Sequence, residues 1–582
     1  MNRITPMRII DRESGPIEPI DLAITPRLKA LYAARGVSHA SALDYRLAAL
    51  PTPDGLGGIE LAASLLADAL MADQRLLIVG DFDADGATSC ALAMRSLKLL
   101  GATAVDYLVP NRFEFGYGLS PALVEVASER RPDVLLTVDN GISSHAGVAA
   151  AQALGINVVI TDHHLPGDSL PSAAAIVNPQ VNSSGFASQA LAGVGVCFYV
   201  MLALRVTLRA REWFSGSREE PALAQLLDLV ALGTIADVVP LDHLNRLLVE
   251  QGLRRIRAGK GSPGVAALLA VAGRDPTHAS ASDLGFAAAP RLNAAGRLGD
   301  MSVGIETLLA EDLAEATQRA ESLQALNQKR RALEREMRDE AMAELTAAQW
   351  VGEEETPLEP VLCLYDKRWH QGVVGIVAAR MKEQFQRPVI AFAPAENGQL
   401  KGSGRSVAGV HLRDLLEALD RDTQGRVIER FGGHAMAAGL TLNESQYEAF
   451  HEALVRLARA RFADQPPSDV LVTDGELAPS EYSLSLAKEL RYAGPWGAEF
   501  PEPVFRGTFQ VSEQRIVGGG HLKLTVSPTT APAISLDAIA FNAVERGWDK
   551  PGDQVEGVFR LDVNQFRGRE SIQLVFDYLT TA

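Results

Sequence analysis

The sequence predicts an α/β protein of two α/β lobes joined by a long helix and followed by a small C-terminal β-barrel. Three observations carry that prediction. Strand-like apolar runs alternate with helical patterns from residue 76 to about 236, as in a parallel sheet with helical crossovers. From Glu311 to Trp350 the chain is rich in Glu, Arg, Ala and Leu, with Leu313, Ala316, Ala320, Leu323 and Leu326 at helical spacing. A helix of about forty residues reaches roughly 60 Å. From Asp469 onward, short alternating stretches punctuated by Gly and Pro replace both patterns. The expected divisions are an entry segment (1–50) closed by Pro51-Thr-Pro53, a first lobe (51–305), the connecting helix (306–352), a second lobe (353–464) and the barrel (465–582).

The opening strand of the first lobe sets its chemistry. Arg75-Leu-Leu-Ile-Val-Gly-Asp-Phe-Asp-Ala-Asp-Gly86 is an apolar run that stops at three alternating carboxylates. Leu76 to Val79 read as a strand covered on both faces, and Gly86 followed by Ala91 to Leu100 reads as a tight turn opening a helix. Asp81, Asp83 and Asp85 then crowd one strand end, where like charges repel unless a cation sits among them. All-oxygen clusters suit hard divalent ions. Two other readings fit this stretch alone: a solvated acidic turn whose Asp caps the next helix, or a calcium-type loop.

The next strands separate these readings. Val134 to Val138 stops at Asp139-Asn-Gly141, and Val158 to Ile160 stops at Thr161-Asp-His-His164. Parallel sheets place ligands at the carboxyl ends of their strands. Asp81, Asp83, Asp85, Asp139, Asp162, His163 and His164 all fall there by topology, which favours a metal site. Leu226 to Ala236 is a helix-like run ending at Asp237, which on its own reads as a surface carboxylate at a helix end.

Composition sets outer bounds. A chain of 582 residues, 47% hydrophobic and 22% charged, is too long for one core. Cys90, Cys197 and Cys363 form no CxxC pair, which speaks against a zinc or redox site and for a reducing compartment. The N-terminus lacks an apolar leader, and the apolar run Leu191 to Leu204 is too short to span a bilayer. The expectation is a soluble, cytoplasmic protein with no membrane partner. A net charge of −17 argues weakly against a nucleic-acid partner, although metal-site acids contribute to that sum.

Asp-Phe-Asp-Ala-Asp-Gly86, Asp-Asn-Gly141, Asp-His-His164, Leu-Ala-Gly-Val-Gly195, Gly-Thr-Ile-Ala-Asp-Val-Val-Pro240 and Pro-Arg-Leu-Asn-Ala-Ala-Gly-Arg297 resemble, in order and spacing, the motifs of the DHH phosphoesterases. Within these they resemble the RecJ family of single-stranded-DNA-specific 5′→3′ exonucleases. The resemblance implies that Asp81, Asp83, Asp85, Asp139, His163 and Asp237 hold two divalent ions, Mg²⁺ or Mn²⁺, with His164 close by. Such ions, about 3.5 to 4 Å apart, would bridge the scissile phosphate.

In the second lobe, Trp369-His-Gln-Gly372, Lys401-Gly-Ser-Gly-Arg405 and Phe431-Gly-Gly-His434 resemble the DHHA1 domain that accompanies DHH domains. Gly-rich loops expose backbone N–H groups to phosphate oxygens, and His370, Arg405 and His434 supply side-chain donors beside Ser403, Gly432 and Gly433. In the tail, Val470–Leu477, Phe505–Val511, His521–Val526, Leu536–Phe541, Val555–Val563 and Ile572–Tyr578 read as strands. The family places an OB fold here, with Arg515, His521, Lys523, Arg567 and Arg569 as candidates for a groove that grips single-stranded DNA. Polarity needs a feature that recognises the 5′ end, since two ions cut whichever phosphodiester lies between them. The resemblance offers Arg112, Arg297 and Ser403 for that pocket, and Tyr117 and Asn293 as further substrate contacts.

The implied function is exonucleolytic release of 5′-mononucleotides from single-stranded DNA in recombination and repair. The implied setting is a cytoplasmic monomer served by a helicase and a single-strand-binding protein. Two rivals are a DHH enzyme acting on small substrates such as cyclic dinucleotides or pyrophosphate, and a DHH scaffold that binds DNA without cutting it. The barrel argues against the first, and the complete set of candidate ligands against the second.

Overall fold

The computed structural model describes residues 8–13, 24–111, 113–183, 185–216, 218–351, 354–355, 359–462, 470–566 and 568–581. Two compact units emerge, one formed by residues 11–326 with 473–582 and the other by 327–472 with the first ten residues.

The first unit is built on five parallel strands in the spatial order Val105–Leu108, Leu76–Gly80, Val134–Val138, Asn157–Thr161, Ala175–Val177. Numbered by chain position within the sheet, this is 2-1-3-4-5. In this order the winding reverses between the first and third strands, and a crevice opens at their carboxyl ends. Both strands are buried along their whole length, which is why they read as uninterrupted apolar runs. Leu77, Val79, Leu135 and Val158 pack on the helices Pro121–Ser128 and His145–Ala153. The helices Ala84–Leu100, Gly193–Ala210 and Leu227–Ala236 pack on one another.

The helix after the acidic strand end begins at Ala84 and includes Gly86, rather than following a turn there. The Asp83 side chain caps it by accepting from the Gly86 N–H at 3.0 Å. A Cβ at Gly86 would lie 2.5 Å from the Asp81 carbonyl oxygen, so glycine serves close approach inside the first helical turn. The apolar run at Leu191 is likewise longer in structure, as the 18-residue helix Gly193–Ala210. By length and composition it could cross a membrane, but it is 67% buried inside the fold and packs on Ile59–Met71 and Ala84–Leu100 as a core helix.

The barrel is closed, in the order Phe505–Val517, His521–Pro528, Leu536–Ala540, Arg569–Thr581, Gln554–Phe566. All its pairings are antiparallel except that between the third and fifth strands. This is the five-stranded barrel expected for an OB fold. The first strand expected in the tail lies outside it: Val470–Thr473 pairs with Arg8–Asp11 as a separate two-stranded sheet. The chain is diverted at Asp474, whose carboxylate accepts from Arg35 Nη1 and Nη2 at 2.9 and 2.8 Å in a fully desolvated pair.

Further contacts hold the 474–504 segment to the sheet lobe. Tyr32 Oη donates to the Ala493 carbonyl at 2.7 Å, and the Leu241 N–H to Ala498 at 2.8 Å. The rings of Trp496 and Phe500 stack at 5.2 Å, and the Arg246 guanidinium lies 4.2 Å over Phe500. Breaking one partner of a buried pair such as Arg35–Asp474 costs about 3–5 kcal/mol. The entry segment thus clamps the base of the barrel to the sheet lobe.

The second unit carries a mixed sheet in the order Arg430–Gly433, Ala437–Asn443, Gln399–Arg405, Val389–Pro394, Leu362–Tyr365. Phe392, Leu412, Leu415, Leu416, Leu419, Phe450 and Leu454 form its core. The chain passes from the first unit to the second within one helix, Leu313–Gln349, whose 37 residues extend roughly 55 Å.

Candidate metal centre

Asp81 and Asp139 follow the first and third strands directly, so both stand at the sheet's reversal point. Asp139 has φ 62°, a left-handed conformation uncommon for a residue other than glycine. The next residue helps fix the strand ends, since Asn140 Nδ2 donates to the Val79 and Val138 carbonyls at 3.1 and 2.9 Å. Asp85 is buried in the first turn of its helix. Its carboxylate accepts from the Gly193 and Val194 N–H groups at 2.6 and 2.9 Å, the positive end of the Gly193–Ala210 helix. Asp237 caps the carboxyl end of Leu227–Ala236 and faces inward: His163 Nε2 lies 3.4 Å from its Oδ2 and 3.2 Å from Asp139 Oδ1.

Ligand atoms converge in three overlapping groups, each within 4.8 Å: Asp81, Asp83 and Asp139; Asp85, His163 and Asp237; Asp139, His163 and His164. Asp139 Oδ1 and His163 Nε2 are buried and, their mutual approach aside, find no hydrogen-bond partner among the described residues. His163 instead hydrogen-bonds the backbone at Leu191. Burial, with His164 beside it, holds its pKa down to about 4, so the imidazole is neutral with a lone pair to offer. Separations near 3 Å suit adjacent ligands of one octahedral ion at about 2.1 Å. The residues therefore fit divalent cations.

The carboxylates resist sharing this volume without a cation. Burial and the neighbouring Asp83 raise Asp85 to about 7. Burial and Asp85 raise Asp237 to about 8 and push Asp139 well above the usual carboxylate range. A folded pKa above the unfolded value means that the native state keeps a proton the unfolded chain has released. Without divalent ions, stability then falls as pH rises from about 4 to about 8. Ions displace those protons, so the Mn²⁺-induced gain in Tm should grow by several degrees between pH 5 and pH 8 in parallel thermal melts with EDTA or Mn²⁺. An equal gain at both pH values would contradict this electrostatic picture.

His164 stands apart from His163. Asp162, fully buried, accepts from the His163 and His164 N–H groups at 2.7 and 3.1 Å and contacts His164 Nδ1 at 2.7 Å. Its other oxygen accepts from the Ile142 N–H at 2.9 Å. Burial alone would lower His164, but the bond to Asp162 and its charge raise it to about 9. Tyr117 Oη lies 3.0 Å from His164 Nδ1.

The remaining candidates fall into separate settings. Asn293 Oδ1 accepts from the Ala84 N–H at 2.9 Å and so braces the acidic helix. Arg297 follows Gly296, whose Cβ would meet the Phe82 carbonyl oxygen at 1.7 Å; the arginine therefore adjoins the acidic loop. Arg112 and Arg567 lie outside the described residues.

In the second unit Arg405 Nη1 donates to Ser403 Oγ at 3.1 Å, and burial lowers the guanidinium's pKa. A Cβ on Gly375, in the first turn of the Val374–Phe385 helix, would lie 2.8 Å from Ser403 Oγ. Gly432, Gly439 and Ser403 align across three strands, and Gly433 has φ 138°. His370 Nδ1 accepts from the Gly372 N–H at 3.0 Å, and His434 is exposed.

On the barrel, Arg515 and Lys523 are cross-strand partners, with Lys523 Nζ 3.8 Å from Asp537. His521 accepts from the Asn542 N–H at 3.0 Å and packs edge-on to Phe541. Arg569 is exposed at the start of the last strand.

A reversal-point cluster of carboxylates and histidines on an all-parallel sheet defines a metal-dependent phosphoesterase, and the DHH family N-terminal domain matches residues 75–234. The DHHA1 domain matches 358–460, and the RecJ OB domain matches 473–578. The chain belongs to the RecJ family of single-stranded-DNA-specific exonucleases. The single-stranded-DNA-specific exonuclease RecJ of Dickeya dadantii (strain 3937) is 51% identical over 581 residues, covering 100% of both chains. That of Escherichia coli (strain K12) is 50% identical, covering 97% of this chain and 98% of its own. The crystal structure of RecJ in complex with Mn²⁺ from Thermus thermophilus has a TM-score of 0.76 at 31% identity, covering 96% of this chain and 76% of that one. A second from the same organism, in complex with Mg²⁺, has a TM-score of 0.72.

Asp162, Asn140 and the Gly193 and Val194 amides have roles that reading the sequence leaves unassigned. Their motifs stand out, but which atoms meet is set by contacts as much as 109 residues apart.

Proposed function

We propose that this chain is a divalent-metal-dependent exonuclease that degrades single-stranded DNA from the 5′ end to 5′-mononucleotides, in recombination and repair. The observation that carries the reading is the convergence of Asp81, Asp83, Asp139, Asp85, His163 and Asp237 at the sheet's reversal point, in a chain half identical to exonucleases of that name. Asp81, Asp83 and Asp139 would hold one Mg²⁺ or Mn²⁺ ion, and Asp85, His163 and Asp237 a second. When bound, such ions polarise the phosphodiester and make water a usable nucleophile at neutral pH.

The chain's own residues orient this chemistry. The Gly193 and Val194 amides fix the rotation of the Asp85 carboxylate, and Asp162 keeps His164 protonated as a donor to a phosphate oxygen. Ser403, Arg405 and the glycine row of the second unit offer a phosphate cradle. The barrel supplies Arg515, Lys523 and His521 as a strand-gripping surface. A cytoplasmic monomer served by a helicase and a single-strand-binding protein belongs to the same proposal. Its supports are three free thiols and the family's chemistry.

Incubation with 5′- or 3′-labelled single- and double-stranded DNA, with and without Mn²⁺, tests the reading. Metal-dependent release of mononucleotides from the 5′ end of single strands alone is expected. Cleavage from the 3′ end, or of duplex at an equal rate, would refute it. End recognition is tested by Arg297→Ala, which should reduce the preference for 5′-phosphoryl over 5′-hydroxyl DNA about tenfold while Mn²⁺ affinity stays unchanged, because an arginine fork favours the more highly charged terminal phosphate. An intact preference would move end recognition elsewhere.

A further inference from the structure

Phe286 is 78% exposed, more than any other large apolar side chain among the described residues, and Val238 follows at 68%. The first lies in a turn packed on the helix that ends at Asp237, and the second adjoins Asp237 itself. Val238 comes directly after Asp237 with φ 61°, a strained conformation for a β-branched residue. Phe286 lies in the π-turn Leu284–Ala288, in which the Ala289 N–H reaches the Leu284 carbonyl, five residues back.

Proline explains the turn. Pro290 has no N–H to give the Phe286 carbonyl four residues earlier, and its ring would collide with that carbonyl in an α-helix. Widening to π spacing relieves the clash, and such turns recur at functional sites. From Ala281 to Ala295 every other side chain is buried or half-buried.

The segment is pinned at both ends to the metal-site elements. A Cβ on Gly285 would lie 3.1 Å from Ile235 Cγ2, two residues before Asp237. Further along, Asn293 accepts from Ala84, and Gly296 presses on Phe82. The turn that carries Phe286 therefore stands at the Asp237 end of a wall that runs to the Asp81–Asp85 loop.

We propose that Phe286, held out of the fold by the Pro290 π-turn, is a stacking seat for the base of a nucleotide beside the scissile phosphate. This rests on the reading of the site as a single-strand exonuclease. An aromatic face suits any unpaired base, whereas bases in a duplex are already stacked and paired, so the seat also discriminates between strands.

The test is a coupling experiment on 5′-phosphorylated oligonucleotides carrying one abasic site at each of the first five positions. Phe286→Ala should lose about tenfold in kcat/KM on intact DNA, and Phe286→Tyr should retain activity. In the parent enzyme one abasic position should cost about tenfold, and in Phe286→Ala that position should cost nothing more. Phe286→Leu, which keeps apolar bulk without a ring face, gives the same readout should the Ala variant melt early. Variants within twofold of the parent, or losses that multiply at every position, would overturn the proposal while leaving the exonuclease reading intact. A parent that cuts no single-stranded DNA in Mn²⁺ would overturn both.

Discussion

Asp139→Ala should lower single-turnover hydrolysis of labelled single-stranded DNA by about 1,000-fold or more, equivalent to ~4 kcal/mol of transition-state stabilisation. Asp139 is a ligand of the Asp81–Asp83 group and stands 3.2 Å from His163 Nε2 of the other, so its loss removes a ligand from one candidate ion position and disturbs a ligand of the second. DNA affinity, measured by fluorescence anisotropy without turnover, should survive. The metal-free variant should melt no lower than the parent, because a buried carboxylate crowded by Asp85, Asp83 and Asp81 has been removed. Its Mn²⁺-induced gain in Tm should shrink. Turnover within tenfold of the parent in a folded variant would remove Asp139 from the metal centre.

Gly193→Ala should slow hydrolysis by roughly 100-fold and cost about 1–3 kcal/mol of stability, as overpacking in a core does. A Cβ there would lie 2.5 Å from Asp139 Oδ1 and 2.6 Å from Asp139 Cβ, and the Gly193 N–H also holds Asp85. One methyl group would therefore disturb a ligand from each candidate ion position. Gly195→Ala in the same motif is the control: its Cβ would come nearest to Leu191 Cδ2, at 3.1 Å, and should cost far less. The measurement is kcat against Mn²⁺ concentration with melting curves for both variants. Equal losses would show that the motif's glycines serve helix packing rather than the site.

The parts of this molecule legible in the sequence are those encoded by local pattern. Leu76–Gly80 and Val134–Val138 announce a two-sided parallel sheet by apolar composition, and topology then places Asp81 and Asp139 at one edge. Asp237 is ambiguous from its helix alone, because the inward turn of its side chain depends on His163, 74 residues earlier. Residues 26–46 carry no readable purpose, since their partners are remote in sequence: Arg35 meets Asp474 across 439 positions, and Tyr45 meets Arg246 across 201. Gly86 reads as a turn because glycine serves equally as a turn former and as a point of close approach, and only the Asp81 carbonyl reveals which. Phe286 gives no signal, because nothing in Leu-Gly-Phe-Ala-Ala shows that the helix widens before Pro290.

Anomalous scattering from crystals soaked in Mn²⁺ tests the central claim most directly. Two peaks are expected, one among Asp81, Asp83 and Asp139 and the other among Asp85, His163 and Asp237, with the first lost in Asp83→Ala. Peaks elsewhere, or none at these residues in protein that cuts single-stranded DNA, would contradict the assignment of this cluster as the metal centre.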